Sequence, residues 1–173
     1  MGAGKSSVGA CLHRRTGLGL VDTDEIVGSK FGMSTPEIFA EHGKKKFREA
    51  ETAALRCVRT EDQAIIVTGG GIVLRKENVE ILKSRGVIVW LDADEKTLFA
   101  RASRKQNRPL LRTKNPREAF SQIHDARRPL YASIADIRVD TSVLTDEEVA
   151  VAILAKFRRM NAKRKSPVPV KAS

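Results

Sequence analysis

No run of about twenty apolar residues occurs anywhere in the 173-residue chain, which excludes a membrane-spanning helix. The opening residues also lack the charged-then-apolar pattern of an export signal. The expectation is a cytoplasmic protein with no membrane partner. Cysteine is nearly absent. Cys11 and Cys57 have no C-x-x-C spacing and no neighbouring histidine cluster, so they read as reduced packing residues and not as disulfide or metal ligands. Internal repeats and dividing linkers are missing too, which leaves one domain as the default for this length. Acidic residues are absent after Glu148, whereas seven lysines and arginines follow from Lys156 onward; of the net charge of +11 this leaves +4 for the rest of the chain. The basic excess is therefore a C-terminal feature, and "NAKRKSPVPVKAS" has the composition of a solvated, disordered tail. The reading is a body over residues 1–158 and a basic tail over 159–173, with no specific nucleic-acid partner. A polyanion binder acting through that tail is the non-enzymatic alternative.

Short β-branched apolar runs are present: "GLGLVDTD", "AIIVTGGG", "GVIVWLDAD" and "DIRVDT". Each reads as a buried, nearly continuous strand of a parallel sheet. Between them apolar residues recur at three- and four-residue intervals, predicting helices over residues 6–15, 44–59, 77–84, 95–105, 116–127 and 146–159. Strand alternating with helix gives an α/β fold whose parallel sheet lies between helical layers. In such sheets ligands bind beyond the carboxyl ends of the strands. Asp22-Thr23-Asp24, Gly69-Gly70-Gly71, Asp92-Ala93-Asp94 and Asp140-Thr141 follow the strands directly, so polar and glycine residues gather where a site belongs.

Five segments carry the chemistry. "MGAGKSSVG" matches the second half of a phosphate-binding loop, G-x-x-x-x-G-K-[ST], without its first glycine or a preceding strand. Backbone N–H groups of Gly2, Ala3, Gly4, Lys5, Ser6 and Ser7 suit a phosphate, the Lys5 ammonium its charge, and the Ser6 hydroxyl a Mg²⁺ ion; a plain glycine-rich terminus is the alternative. Asp22 and Asp24 stand two apart after a strand and so project to one side, one toward a metal and one toward an acceptor hydroxyl, unless they only cap a helix. Arg48 and Glu51 are three apart on one helix. A fork held by a carboxylate grips a substrate carboxylate, and an ordinary surface ion pair is the other reading. Gly69, Gly70 and Gly71 suggest close approach of a ligand to the main chain, or else a flexible turn. "NRPLLR" and "ARRPLY" offer arginines. Arg108 lies in a polar stretch that reads as a lid over about residues 103–116, able to meet a transferring phosphoryl group.

Taken in order, "GAGKSS", "DTD", "FREAE", "GGG", "NRPLL" and "RRPLY" resemble the shikimate kinase family over residues 1–158. The resemblance implies a three-layer P-loop kinase fold of the nucleoside-monophosphate-kinase kind, with a five-stranded parallel sheet. It also implies transfer of the ATP γ-phosphoryl group to the 3-hydroxyl of shikimate in aromatic amino-acid biosynthesis. It assigns Gly2 to Ser7 to ATP, Ser6 and Asp22 to Mg²⁺, and Lys5, Asp24 and Arg108 to catalysis. Arg48 and Arg127 fall to the substrate carboxylate, Glu51 to the support of Arg48, and Gly69 to Gly71 to the substrate's backbone contact. Arg101 is placed against adenine, Arg128 is left out, and a monomer is expected. Family members carry about ten more residues before this glycine loop, and these form a central strand. The expectation is that the first strand is missing and that Met1 is an internal methionine. Another small-molecule P-loop kinase, such as one acting on gluconate, and an inactive remnant are the alternatives.

Overall fold

The computed structural model describes residues 1–58, 63–104 and 109–165. Along the chain run α1 (Lys5–Thr16), β1 (Gly19–Asp22), α2 (Thr23–Phe31), α3 (Thr35–Cys57), β2 (Ala64–Val67), α4 (Lys76–Arg85), β3 (Val89–Asp92), α5 (Glu95–Ser103), α6 (Pro116–Ile134), β4 (Ile137–Asp140) and α7 (Asp146–Lys165). Short 3₁₀ turns occupy Ile72–Leu74 and Pro109–Leu111. This is the expected α/β order. α3 bends at Gly43, whose φ of 74° and ψ of 170° interrupt the helix, so the helix expected from residue 44 is the second limb of a longer element. No helix among the described residues is long and apolar enough to cross a membrane.

The strands pair in parallel, but not as one sheet. β1 lies against β2 with Gly19 opposite Ala64 and Asp22 opposite Val67. β3 lies against β4 with Val89 opposite Ile137 and Asp92 opposite Asp140. Among the described residues nothing bridges the two pairs, which stand as two parallel half-sheets within the expected α/β fold. Between β2 and β3 lies a slot. On its α1 and α7 side the space measures about 560 Å³, bordered by Val8, Gly9, Ile65, Val89, Leu91 and Phe157. On the opposite side about 220 Å³ more is bordered by Ala64, Ile66, Trp90 and Tyr131. The split also changes strand burial. β2 and β3 are mostly half-buried, Leu20 on β1 is 40% exposed, and only β4 hides alternate residues fully.

The core is correspondingly divided. Val8, Ile137, Val139, Val149 and Ile153 join α1 and α7 to β4. Val27, Ile38, Phe47, Ala50 and Ala54 join α2 to α3, and Leu55, Ile72 and Val73 form a third cluster with Tyr131 and Ile134 against it.

Three helix ends differ from expectation for physical reasons. α6 continues through Pro129 to Ile134. An internal proline forfeits one hydrogen bond and crowds the preceding turn, yet Tyr131 and Ile134 gain packing on the third cluster. α7 reaches Lys165, so residues 159–165, expected in the tail, are helical; residues 166–173 lie outside the described residues. α5 ends at Ser103 where 105 was expected. Cys11 is buried as read from sequence, whereas Cys57 is exposed because it sits at the last residue of α3.

Near the start of α7, Glu147 accepts from Arg14 at 2.5 Å and Arg15 at 2.7 Å. These arginines hold its carboxyl at about 2, well below its ordinary 4.5. A carboxyl whose folded-state pKa is depressed stabilises the fold above its unfolded value and loses that contribution as pH falls through the folded one. The stability gap between the wild type and Glu147→Gln should therefore be largest above about pH 5 and should close toward pH 2, as followed by urea unfolding at each pH.

Candidate functional site

The glycine loop turns into α1 through two left-handed residues, Gly2 (φ 76°) and Gly4 (φ 77°). Space is short there as well. A Cβ on Gly2 would strike the Leu98 carbonyl, and one on Gly4 would stand 3.1 Å from Asp146 Oδ1. The first turn of α1 carries no acidic side chain of its own, and the N–H groups and dipole of a helix start favour a phosphate. Ala3 is buried with Leu98, Ala102 and Phe120 and anchors the loop. Lys5 borders the slot, and Ser7 is exposed.

Ser6 and Asp22 meet. The Ser6 hydroxyl donates to Asp22 Oδ2 at 3.2 Å, while Asp22 Oδ1 accepts from the Asp24 backbone N–H at 2.9 Å. Asp22 thus caps α2 and also faces the loop. A hydroxyl beside a carboxylate is an all-oxygen donor set of the kind that suits a hard divalent cation such as Mg²⁺.

A second group gathers across from this pair. Arg48 and Glu51 form an ion pair that is not on the surface: Glu51 is 0% and Arg48 8% exposed. Burial pushes the Glu51 carboxyl up and the Asp24 charge adds to this, while Arg48 and Arg127 oppose it. The Gly69-Gly70-Gly71 turn is packed against these side chains. A Cβ on Gly69 would lie 2.7 Å from both Asp24 Oδ1 and Glu51 Oε1, one on Gly70 would lie 3.1 Å from Tyr131 Oη and 3.8 Å from an Arg127 nitrogen, and one on Gly71 would land on the Arg48 guanidinium. Functional side chains thus crowd the turn most closely at Gly69 and Gly71, and less so at Gly70. Arg127, 6% exposed, completes the group. Glu51 Oε1 and Arg48 Nε have no hydrogen-bond partner among the described residues. Replacing Gly71 by alanine should displace the Arg48 fork and raise the KM of an anionic acceptor by about tenfold or more, measurable by steady-state kinetics with unfolding curves as control.

Tyr131 was missed in the sequence. Its hydroxyl donates to the Gly70 carbonyl at 2.5 Å, and burial raises its pKa, so it stays a donor. The available signal was its place four residues after Arg127 in "ARRPLY", on the same helical face. Tyr131→Phe should raise acceptor KM about fivefold for the loss of one neutral hydrogen bond, with kcat little changed.

Arg101 and Arg128 have partners outside these two groups. Arg101 donates to Thr141 Oγ1 at 3.1 Å and to the Thr141 and Ser142 carbonyls at 2.8 and 3.3 Å, tying α5 to the loop after β4. Arg128 is half exposed and lies 3.8 Å from Asp92, away from Arg127's group. Arg108 falls outside the described residues, as do 105–107 of the expected lid.

The family model described as shikimate kinase matches residues 1–158. Shikimate kinase of Thermodesulfovibrio yellowstonii is 40% identical over 161 residues, spanning 93% of this chain and 92% of that protein. The Bordetella pertussis shikimate kinase is 37% identical, over 94% of this chain and 77% of its own length. Among solved structures, a shikimate kinase from Acinetobacter baumannii in complex with shikimate aligns with a TM-score of 0.87 at 32% identity, covering 96% of this chain and 91% of that one. The Aquifex aeolicus enzyme aligns with a TM-score of 0.79 at 32% identity, over 93% and 94% respectively.

Proposed function

This chain belongs to the shikimate kinase family and is a phosphotransferase acting on shikimate, and we propose that it transfers the ATP γ-phosphoryl group to the 3-hydroxyl with the two groups of side chains just described. The observation that carries this reading is the cluster of half-buried Asp24 with buried Arg48, Glu51 and Arg127 around the three glycines. Arg48, paired with Glu51, and Arg127 bring two buried guanidinium groups to one place, and arginine forks bind the carboxylate of a small acid bidentately.

The nucleotide belongs on the other side. Backbone N–H groups of Gly2 to Ser7 and the N-terminus of α1 would receive its phosphates, with Lys5 offsetting charge on the β and γ oxygens. Ser6 directly and Asp22 through water would hold Mg²⁺. The ion, when bound, supplies a positive centre that neutralises charge on the phosphates. Asp24 then takes the proton of the 3-hydroxyl as that oxygen bonds to the γ-phosphorus, and the bond from phosphorus to the bridging oxygen breaks to release ADP. Glu51 orients Arg48, and Tyr131 fixes the Gly70 turn against the acceptor. Arg108 closes from a lid over about residues 103–116 to meet the phosphoryl charge and exclude water, and Arg101 lies against the adenine. The catalytic domain is residues 1–158.

An acceptor panel tests this. ADP formation should depend on shikimate and be absent with gluconate and other open-chain sugar acids. Turnover of gluconate with none for shikimate would reassign the acceptor.

A further inference from the structure

Apart from the two groups that carry the transfer, metal-ligating side chains converge at one more place among the described residues. Glu95, at the start of α5, and His124 and Asp125, on α6, each bring one donor atom there, and these atoms all lie within 4.8 Å of one another. Nothing in the phosphoryl transfer uses them.

The imidazole is held in position. His124 stacks on Phe120 with centroids 6.1 Å apart and planes 13° from parallel; Phe120 is itself 1% exposed, so the ring has a fixed seat. Its Nδ1 lies 3.2 Å from Asp125 Oδ1, close to the separation of about 3.3 Å between neighbouring ligands on a tetrahedral ion with bonds of about 2.0–2.1 Å. Its Nε2 has no hydrogen-bond partner among the described residues. Glu95 is oriented from the facing helix, because the Ser121 hydroxyl donates to its Oε1 at 2.9 Å. A hydrogen bond of this kind aims a ligating carboxylate.

Charge and donor type select the ion. Two carboxylates carry a charge that a divalent cation cancels, and an imidazole nitrogen among the donors suits Zn²⁺, whereas Mg²⁺ is a hard ion that prefers an octahedron of oxygens. We propose that Glu95, His124 and Asp125 form a three-ligand Zn²⁺ site, with water in the fourth position, that ties α5 to α6. The helices otherwise meet through Phe99 edge-on to Phe120, the Arg117 guanidinium over Phe99 and the Ser121–Glu95 hydrogen bond. Since α5 ends at Ser103 and α6 begins at Pro116, the ion clamps the two flanks of the segment proposed as a lid. Neither the acceptor nor the nucleotide takes part in it, and Ser6 and Asp22 are not among its ligands.

Histidine side-chain NMR on the whole chain tests the site, because the only three imidazoles are those of His13, His42 and His124 and they report separately. Added Zn²⁺ should shift the His124 nitrogens alone and saturate at one ion per chain, and an excess of Mg²⁺ should not reverse the shift. In competition with a chromophoric chelator, His124→Gln and Asp125→Asn should each lose at least about tenfold in Zn²⁺ affinity, the smallest loss usual even for an outer-shell partner. The wild-type unfolding midpoint should rise with Zn²⁺ concentration, and this rise should be missing from both variants. Asp125 is 73% exposed in its side chain, so its variant keeps the fold should the His124 variant lose it. Cys57→Ser should bind as the wild type does. Shifts at His13 or His42 instead, displacement by Mg²⁺, unchanged affinity in Asp125→Asn, or no saturable binding would each overturn the site and leave the three side chains as a salt link between helices.

Discussion

Arg48→Ala is expected to lower kcat/KM for shikimate by about 10²–10³-fold, the loss of a bidentate pair of hydrogen bonds between charged groups. It should also destabilise the fold. Glu51 is fully buried and its carboxylate is paired with Arg48. Removing the arginine leaves that charge without its partner, at a cost of about 3–5 kcal/mol for a broken buried pair. Much of this cost should be evaded by proton uptake, since burial already raises the Glu51 pKa and a neutral carboxyl is cheaper to bury. The double variant Arg48→Ala/Glu51→Gln should therefore regain stability relative to Arg48→Ala while regaining no activity. Urea unfolding measures the first and an ADP-coupled assay the second. A single variant that loses neither would mean that the pair is a bystander.

Asp24→Asn should act differently, lowering kcat by about 10²–10⁴-fold, the usual contribution of a general base, with a much smaller change in shikimate KM. The asparagine keeps the size of the side chain beside Gly69 and loses the ability to take a proton. The Asp24 backbone N–H still caps on Asp22, so the start of α2 should be intact. If kcat falls less than about fivefold, Asp24 orients the hydroxyl without accepting its proton, since general-base removal costs far more.

Much of this site was legible because it follows from local spacing. Asp22 and Asp24 stay close because Asp22 ends β1 and caps α2, in whose first turn Asp24 stands, and Arg48 and Glu51 meet because they are three apart on a helix. What spacing could not tell is burial, and burial decides between an ornamental surface pair and a clamp. The glycines were legible as unusual, but the side chains that crowd a Cβ at 69, 70 and 71 come from α2, α3 and α6, more than fifteen residues away. Tyr131 was hidden because the predicted helix ended at residue 127, and only tertiary packing carries α6 on to Ile134. Strand positions were read correctly as short β-branched runs. Their half-burial was not, because it depends on whether the space between β2 and β3 is filled.

The central claim is that Arg48 and Arg127 together hold the carboxylate of the acceptor. It is tested most directly by calorimetric titration of shikimate and of its methyl ester into the wild type and into Arg127→Ala. The account predicts that esterification weakens binding to the wild type by about tenfold or more, that Arg127→Ala weakens the free acid by a similar factor, and that the variant hardly distinguishes acid from ester. Equal binding of acid and ester by the wild type, or losses that simply multiply in the variant, would contradict it.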